Sequence, residues 1–305
     1  MAGLATRSNE DRPFAGIALV LVAYFLFSFV DTGSKWLGLI GLGALQLSFM
    51  RYFGHFIITF GMMAKTGFSR DVFVSDKLGL VIVRSIFLML ATVLNFIAIR
   101  YLPLTLTSTI LFSSPTIVCA LAWPLLGERV GPWRWFAICI GFVGILIVIR
   151  PFGESLHWAV FLSLGNALFF SLYLILTRKL ADVVAADTLQ FYTGFVGTIV
   201  LLPFGLAEWQ NPQTGLGWIV LLSLGPIAWF GHGLLIRANN FAPASALTPF
   251  GYSFILYVTV WSFFVFNHKP DVWTIIGACI VISSGLIIWA REQHLRQKGI
   301  TTKAN

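Results

Sequence analysis

The sequence predicts an all-α membrane protein: ten transmembrane helices in two inverted five-helix repeats. Three observations carry this expectation: a composition too apolar for water, ten apolar runs of spanning length, and a weak internal register relating the second half to the first. Of the 305 residues, 58% are hydrophobic and only 10% charged, with a mean hydropathy of +0.87. A soluble domain has about 45–50% and about 25% respectively. Phe 29, Trp 11 and Tyr 7 are more aromatic surface than a water-soluble fold of this size can hide. The net charge of +8 does not point to nucleic acid, because the basic residues punctuate apolar runs instead of gathering on a solvated face. The expected partners are membrane lipid and a small-molecule substrate, with no nucleic acid and the chain acting as a monomer.

A hydrocarbon core of about 30 Å needs about 20 helical residues to cross it. Charged, proline and glycine breaks divide the chain accordingly. The first span, 14–38, follows Arg12-Pro13, and it runs too long, without an A-x-A-like cleavage site, to be a secretory signal. The second, 44–64, stops at Lys65, and the third, 78–99, lies between Lys77 and Arg100. The fourth, 104–126, runs from Pro103 to Gly127-Glu128, and the fifth, 132–149, ends at Arg150-Pro151. The sixth, 158–177, ends at Arg178-Lys179, and the seventh, 188–207, lies between Asp187 and Glu208. The eighth, 216–236, closes at Arg237, the ninth, 244–266, at Asn267-His268-Lys269, and the tenth, 272–290, at Arg291-Glu292. Tails of 1–13 and 291–305 remain, and no separate soluble domain.

With the N-terminus cytoplasmic, that side receives most of the basic loop residues, from Arg7 and Arg12 to Lys303, while the other receives Lys35, Arg100, Arg150 and Lys269. This is a positive-inside bias that puts both termini in the cytoplasm of a bacterial inner membrane. Cys119, Cys139 and Cys279 lie within apolar runs without metal-ligand spacing and are expected to be packing residues; no metal or cofactor is expected.

Sliding residues 101–150 onto 241–290 without a gap aligns Pro103/Pro243, Ser113/Ser253, Val118/Val258, Trp133/Trp273, Cys139/Cys279, Ile140/Ile280, Leu146/Leu286 and Ile147/Ile287. A shift of 144 pairs Ala15/Ala159, Ala23/Ala167, Phe25/Phe169 and Lys35/Lys179. The repeats are thus 14–150 and 151–290, each with an odd number of spans, so the second enters the membrane from the opposite side. Inverted repeats of this kind are a hallmark of secondary transporters, with the site near the midplane between the halves.

The segments LLGERVGPWRWFAICIGFVGILIVIRP (Leu125 to Pro151), MRYFG (Met50 to Gly54) and NNFAPASALTPFGY (Asn239 to Tyr252) resemble the EamA repeats of the drug/metabolite transporter superfamily over nearly the whole chain. Gly127-Glu128 is the most specific feature of the first half, and Asn267-His268 stands in its place in the second. Size and aromatic richness are most similar to the bacterial amino-acid exporter branch, including aromatic amino acid exporters. The resemblance implies export of amino acids, aromatic and other, with broad specificity. Uptake or exchange of another, nucleoside-like metabolite is the alternative.

Charged groups inside spans are costly and should face a partner or a wetted cavity. Asp31 has two readings, an ion pair with Lys35 one turn on, or an acceptor for a proton or a substrate ammonium. Arg51 and His55 share a face of the second span beside Tyr52, where the guanidinium anchors neighbouring carbonyls or meets a substrate carboxylate. Arg84, near the cytoplasmic end, is expected to snorkel, with Asn95 on the same side three turns on. Asn166, Tyr173 and Thr177 make a polar stripe on the sixth span, read either as a wetted lining or as helix–helix hydrogen bonds.

The fourth span carries Thr105, Thr107, Ser108, Thr109, Ser113, Ser114 and Pro115, and the ninth Ser245, Thr248, Pro249, Tyr252 and Ser253. Each hydroxyl alone can bond its own helix, but the prolines free carbonyls that can receive an ammonium. Tyr24, Trp229, Tyr173 and Tyr252 lie deep enough to line a path, and His232 joins Asp31 and His55 as an intramembrane proton-exchanging group. Trp133, Trp209, Trp218, Trp273 and Trp289 suit interfacial belts, and Gly141, Gly144, Gly165 and Gly285 close helix contacts. There is no G-x-x-x-x-G-K-[ST], H-E-x-x-H or G-x-S-x-G, so neither ATP hydrolysis nor a membrane enzyme is expected.

Overall fold

The computed structural model describes residues 13–66, 76–126, 132–150, 157–180, 183–238, 241 and 247–297, and these are helical with no strand among them. The helices are α1 (Pro13–Leu39), α2 (Ala44–Thr66), α3 (Leu78–Tyr101), α4 (Leu104–Leu111), α5 (Ser114–Leu126), α6 (Pro132–Ile149), α7 (Ala159–Leu180), α8 (Ala186–Ala207), α9 (Gly215–Ala238), α10 (Ser253–Phe266) and α11 (Val272–Gln297). A 3-10 turn, Thr248–Tyr252, leads into α10. Six of these helices are long and apolar enough to cross a membrane by themselves: α1, α3, α7, α8, α9 and the Val272–Arg291 part of α11. With α2, α4–α5, α6 and the turn with α10, they make ten helical segments in the order expected. The chain is a multi-pass membrane protein.

The structure breaks the fourth and ninth spans where the sequence reads each as one helix. In the fourth, Pro115 has no N–H to give the carbonyl of Leu111, one turn back, and the hydroxyl of Ser114 donates to that carbonyl instead. The ladder restarts with Ile117 N–H on Ser113 O at 3.0 Å. In the ninth, Pro249 sits in the first turn of the 3-10 segment. In the register of 140 residues, Phe112 at the first break corresponds to Tyr252 at the second, and their rings lie 5.5 Å apart.

α3 packs along α7, and α1 along α9; α2 fills the groove between α8 and α9, and α8 also touches α3. α6 pairs with α11, α4 meets α10, α1 meets α10, and α4 and α5 meet α7. Exchanging the first five spans for the last five leaves this set of principal contacts unchanged. The largest apolar cluster, with Leu37, Leu47, Phe49, Ile99, Leu104, Leu201 and Leu224, lies toward the end away from the N-terminus. Large exposed side chains such as Phe142, Ile219, Leu256 and Phe264 form a belt facing outward, as lipid contact requires.

Small residues let the backbones touch. A Cβ on Gly225 would lie 2.5 Å from Gly54 Cα, one on Gly144 3.0 Å from Ile280 Cγ2, and one on Gly165 3.0 Å from Leu94 Cδ1. Gly194 and Gly197 make room in the same way for α2, the latter beneath the Tyr52 ring. Gly225→Val is therefore expected to destabilise the bundle by about 1–3 kcal/mol through overpacking. The readout is a lower unfolding temperature in detergent than for Gly233→Val, where a Cβ meets nothing within 4 Å. The cysteine expectation is corrected: Cys139 and Cys279 are free and exposed, because α6 and α11 turn these faces away from each other, and the Cys119 side chain lies outside the description.

Candidate functional site

α3 organises the interior because its polar residues recur near helical spacing: Arg84 and Thr92 eight apart, about two turns, then Asn95 three further. This side of α3 faces α1, α2 and α7. Asn95 Nδ2 donates to Asp31 Oδ2 on α1 at 3.1 Å, and Asn166 Nδ2 on α7 donates to Asn95 Oδ1 at 3.3 Å. One turn along, Arg51 Nη1 on α2 donates to Thr92 Oγ1 at 2.8 Å, and the Tyr52 hydroxyl lies 2.9 Å from the same oxygen. Thr92 spends its proton on Leu88 O at 3.0 Å, so Tyr52 is the donor of that pair. The Arg51 guanidinium also lies over the Tyr52 ring, 5.0 Å from its centroid.

These bonds fix Asp31 and Arg51 toward the bundle interior, yet both side chains remain half-buried. Thr92 and the neighbouring Tyr52 hydroxyl occupy at most two of the five guanidinium donors. Arg51 is within electrostatic reach of Asp31, His55 and His232. A carboxylate and a guanidinium with spare bonding capacity thus face one interior space.

One turn on from Arg51 along α2 lies an imidazole pair. His55 is 4% exposed, and its ring is 6.3 Å from that of His232, which in turn lies 4.8 Å from Phe27. Gln190 supplies side-chain and backbone acceptors to His55, while Nε2 has no partner among the described residues. At the two helix breaks, Tyr24, Phe112, Tyr252 and Phe254 form an aromatic cluster with ring centroids 5.5–6.3 Å apart. Gly251 gives Tyr24 its space, and any side chain at Gly285 would strike the Tyr252 hydroxyl.

The remaining expected residues divide. Ser108 and Ser113 bond their own helix, at Leu104 O and Ile110 O, both 2.6 Å, so the helix satisfies them without a ligand. Trp229 is half-buried on α9 and enters no ring contact or hydrogen bond among the described residues. The backbone of Thr248 lies in the 3-10 turn, but its side chain is outside the description. Asn166, Tyr173 and Thr177 all face α3, as hydrogen-bonding groups between helices.

Three expectations are corrected. Lys35 is 9% exposed and does not pair with Asp31; its Nζ donates to Leu102 O at 2.6 Å and lies 5.3 Å from the Phe266 ring centroid. The C-terminal carbonyls of α3 attract a cation, and they outcompete the residue one turn below. Arg84 does not snorkel. It is 6% exposed and buried between α7 and α8, where four acceptors hold it. The carbonyl freed by Pro115 is not vacant, since Ser114 donates to it.

Sequence reasoning missed Thr92, Phe112 and Phe254 as site residues. The spacing of Thr92 from Arg84 and Asn95 carried a signal, and so did the register that pairs Phe112 with Tyr252; Phe254 carried none.

A sequence profile described as the EamA-like transporter family matches residues 14–150 and again 157–290. The S-adenosylmethionine uptake transporter of Rickettsia bellii is 26% identical over 284 residues, 92% of this chain and 96% of the relative. A riboflavin transporter of Vibrio cholerae is 23% identical, covering 96% and 99% respectively. A pseudopaline exporter of Pseudomonas aeruginosa is 24% identical, covering 88% and 93%. None of the three is named as an amino-acid exporter, so the expected exporter branch is not what these names single out. A solved crystal structure shares the fold, with a TM-score of 0.63 at 13% identity over 92% of this chain and 99% of that one.

Proposed function

The chain belongs to the EamA-like transporter family, and we propose that it is a secondary transporter that exports small zwitterionic metabolites, amino acids with aromatic and other side chains among them, by alternating access. One observation carries this reading: Asp31 and Arg51, of opposite charge, are held toward the bundle interior by α3 and still keep accessible bonding capacity. Arg51 receives the substrate carboxylate through its forked N–H groups, and Asp31 the ammonium. The Tyr24–Phe112–Tyr252–Phe254 cluster at the breaks takes a flat or apolar side chain without demanding one shape. Discontinuous helices at a midplane site are a recurring feature of such carriers.

In this reading the two halves are inverted repeats that rock against each other about the site. Two successive matches of one family profile support it, as does the exchange symmetry of the helix contacts. The basic loops support a cytoplasmic position of both termini at the inner membrane. The relatives are named as transporters, in keeping with a substrate that leaves unaltered.

Uptake or exchange of another small metabolite is supported at least as well by the relatives, whose names include uptake of S-adenosylmethionine and transport of riboflavin. Counterflow in liposomes containing the purified full chain separates the readings. Labelled L-tryptophan is expected to accumulate against unlabelled internal tryptophan at least ~5-fold above protein-free vesicles. Accumulation of S-adenosylmethionine or riboflavin alone transfers the assignment to the second reading, and accumulation of none of the three removes the amino-acid reading.

A further inference from the structure

Among the described residues Arg84 is the most enclosed cation, and every partner it has there is neutral. Nε donates to Thr177 Oγ1 at 2.8 Å, Nη1 to Thr193 Oγ1 at 2.8 Å and Leu189 O at 3.3 Å, and Nη2 to the Tyr173 hydroxyl at 3.0 Å. The guanidinium carbon lies 4.5 Å from the Tyr173 ring centroid. Thr177 and Thr193 already donate to Tyr173 O and Leu189 O, each at 2.7 Å, so toward Arg84 both can only accept. Asp31 is bonded to Asn95, eleven residues or ~16 Å farther along α3. A cation taken out of water into such a place lacks the charge-assisted partner that a carboxylate would be.

The imidazole pair lies one turn from Arg51 along α2, where His55 meets α8 at Gln190 and Gly194, beside the Leu189 and Thr193 that hold Arg84. His55 and His232 each lie within electrostatic reach of both Arg51 and Arg84. His55 Nε2, buried and without a partner among the described residues, offers a polar atom there. The interior thus holds cations at two depths, with two polar rings in electrostatic reach of both.

We propose that Arg84 is a second binding station for the carboxylate of the transported substrate, which passes from Arg51 by way of the imidazoles and takes Arg84 from the hydroxyls of Tyr173 and Thr193. A carboxylate outbids these acceptors because it brings charge as well as lone pairs. The exchange does more than hold the substrate. Arg84 ties α3, in the first half, to α7 and α8, in the second, so the arriving anion loosens the contact that an opening at this end must break.

This inference rests on the transport reading above, and its test keeps the two apart. Counterflow of L-tryptophan, and of tryptamine, which lacks the carboxylate, is measured in proteoliposomes for the full chain and its variants. Arg84→Gln is expected to lower tryptophan counterflow at least ~10-fold and tryptamine counterflow less than ~3-fold. Tyr173→Phe keeps the ring under the cation but removes a competing acceptor, and is expected to lower the KM for tryptophan ~2–3-fold without loss of rate.

Arg84→Gln counterflow within ~2-fold of the parent overturns the inference. So does a Tyr173→Phe variant that loses rate for both compounds, which would make Arg84 a structural bolt only. If Arg84→Gln does not fold, Tyr173→Phe decides alone. A parent chain that exchanges no tryptophan removes the amino-acid reading and the inference with it.

Discussion

Arg51→Gln is expected to reduce transport of carboxylate-bearing substrates by ~100-fold while leaving a folded protein. The fold tolerates the change because Arg51 contributes one of two donors to Thr92, and the Tyr52 hydroxyl remains to satisfy that oxygen. Nothing else among the described residues is bonded by the guanidinium except the adjoining Tyr52. Losing a charged, desolvated contact with a carboxylate typically costs about 2–5 kcal/mol, and each factor of ten corresponds to about 1.4 kcal/mol. Tryptophan counterflow and binding should both collapse, whereas tryptamine, which has no carboxylate to lose, should change by less than ~3-fold. Equal losses for both compounds would mean that Arg51 positions helices and does not touch the substrate.

Much of the architecture was legible because membrane spans are set by length, hydropathy and punctuation, all local properties. Prolines at 115 and 249 marked the two breaks, although not that the chain would use them to end one helical segment and start another. The register of 140 residues already held the pairing of Phe112 with Tyr252, yet ring contact across the bundle needs the helices to be placed. Side-chain partners were less readable. The spacing of Asp31 and Lys35 permits an intrahelical pair, but the side chain of Lys35 is long enough to choose the carbonyls at the end of α3. Arg84 sits six residues into α3, a depth from which snorkelling is the ordinary outcome. Only the placement of Thr177, Thr193 and Tyr173 on two other helices turns it inward. Distance along one helix was readable; competition between helices for one cation was not.

Asp31→Asn should uncouple charge from structure at the second pole of the site. The replacement keeps the size of the side chain and an oxygen that can accept from Asn95 Nδ2, so the Asp31–Asn95–Asn166 chain linking α1, α3 and α7 survives. Its new amide N–H groups are not fully enclosed, since the side chain is only half-buried. The unfolding temperature in detergent is therefore expected to stay within about 2 °C of the parent, a shift that corresponds to about 1 kcal/mol for a chain of this size. Transport of L-tryptophan should nevertheless fall ~30–100-fold, because the ammonium loses its only carboxylate partner among the described residues of the interior. Indole-3-propionate, which lacks the amino group, should lose little. Asp31 and Arg51 are also close enough to interact, so the double variant Asp31→Asn/Arg51→Gln should be less impaired than the product of the single losses. Strict multiplicativity, or an Asp31→Asn chain that transports tryptophan at the parental rate, would reduce Asp31 to a hydrogen-bond acceptor for Asn95 and leave the ammonium without a carboxylate partner.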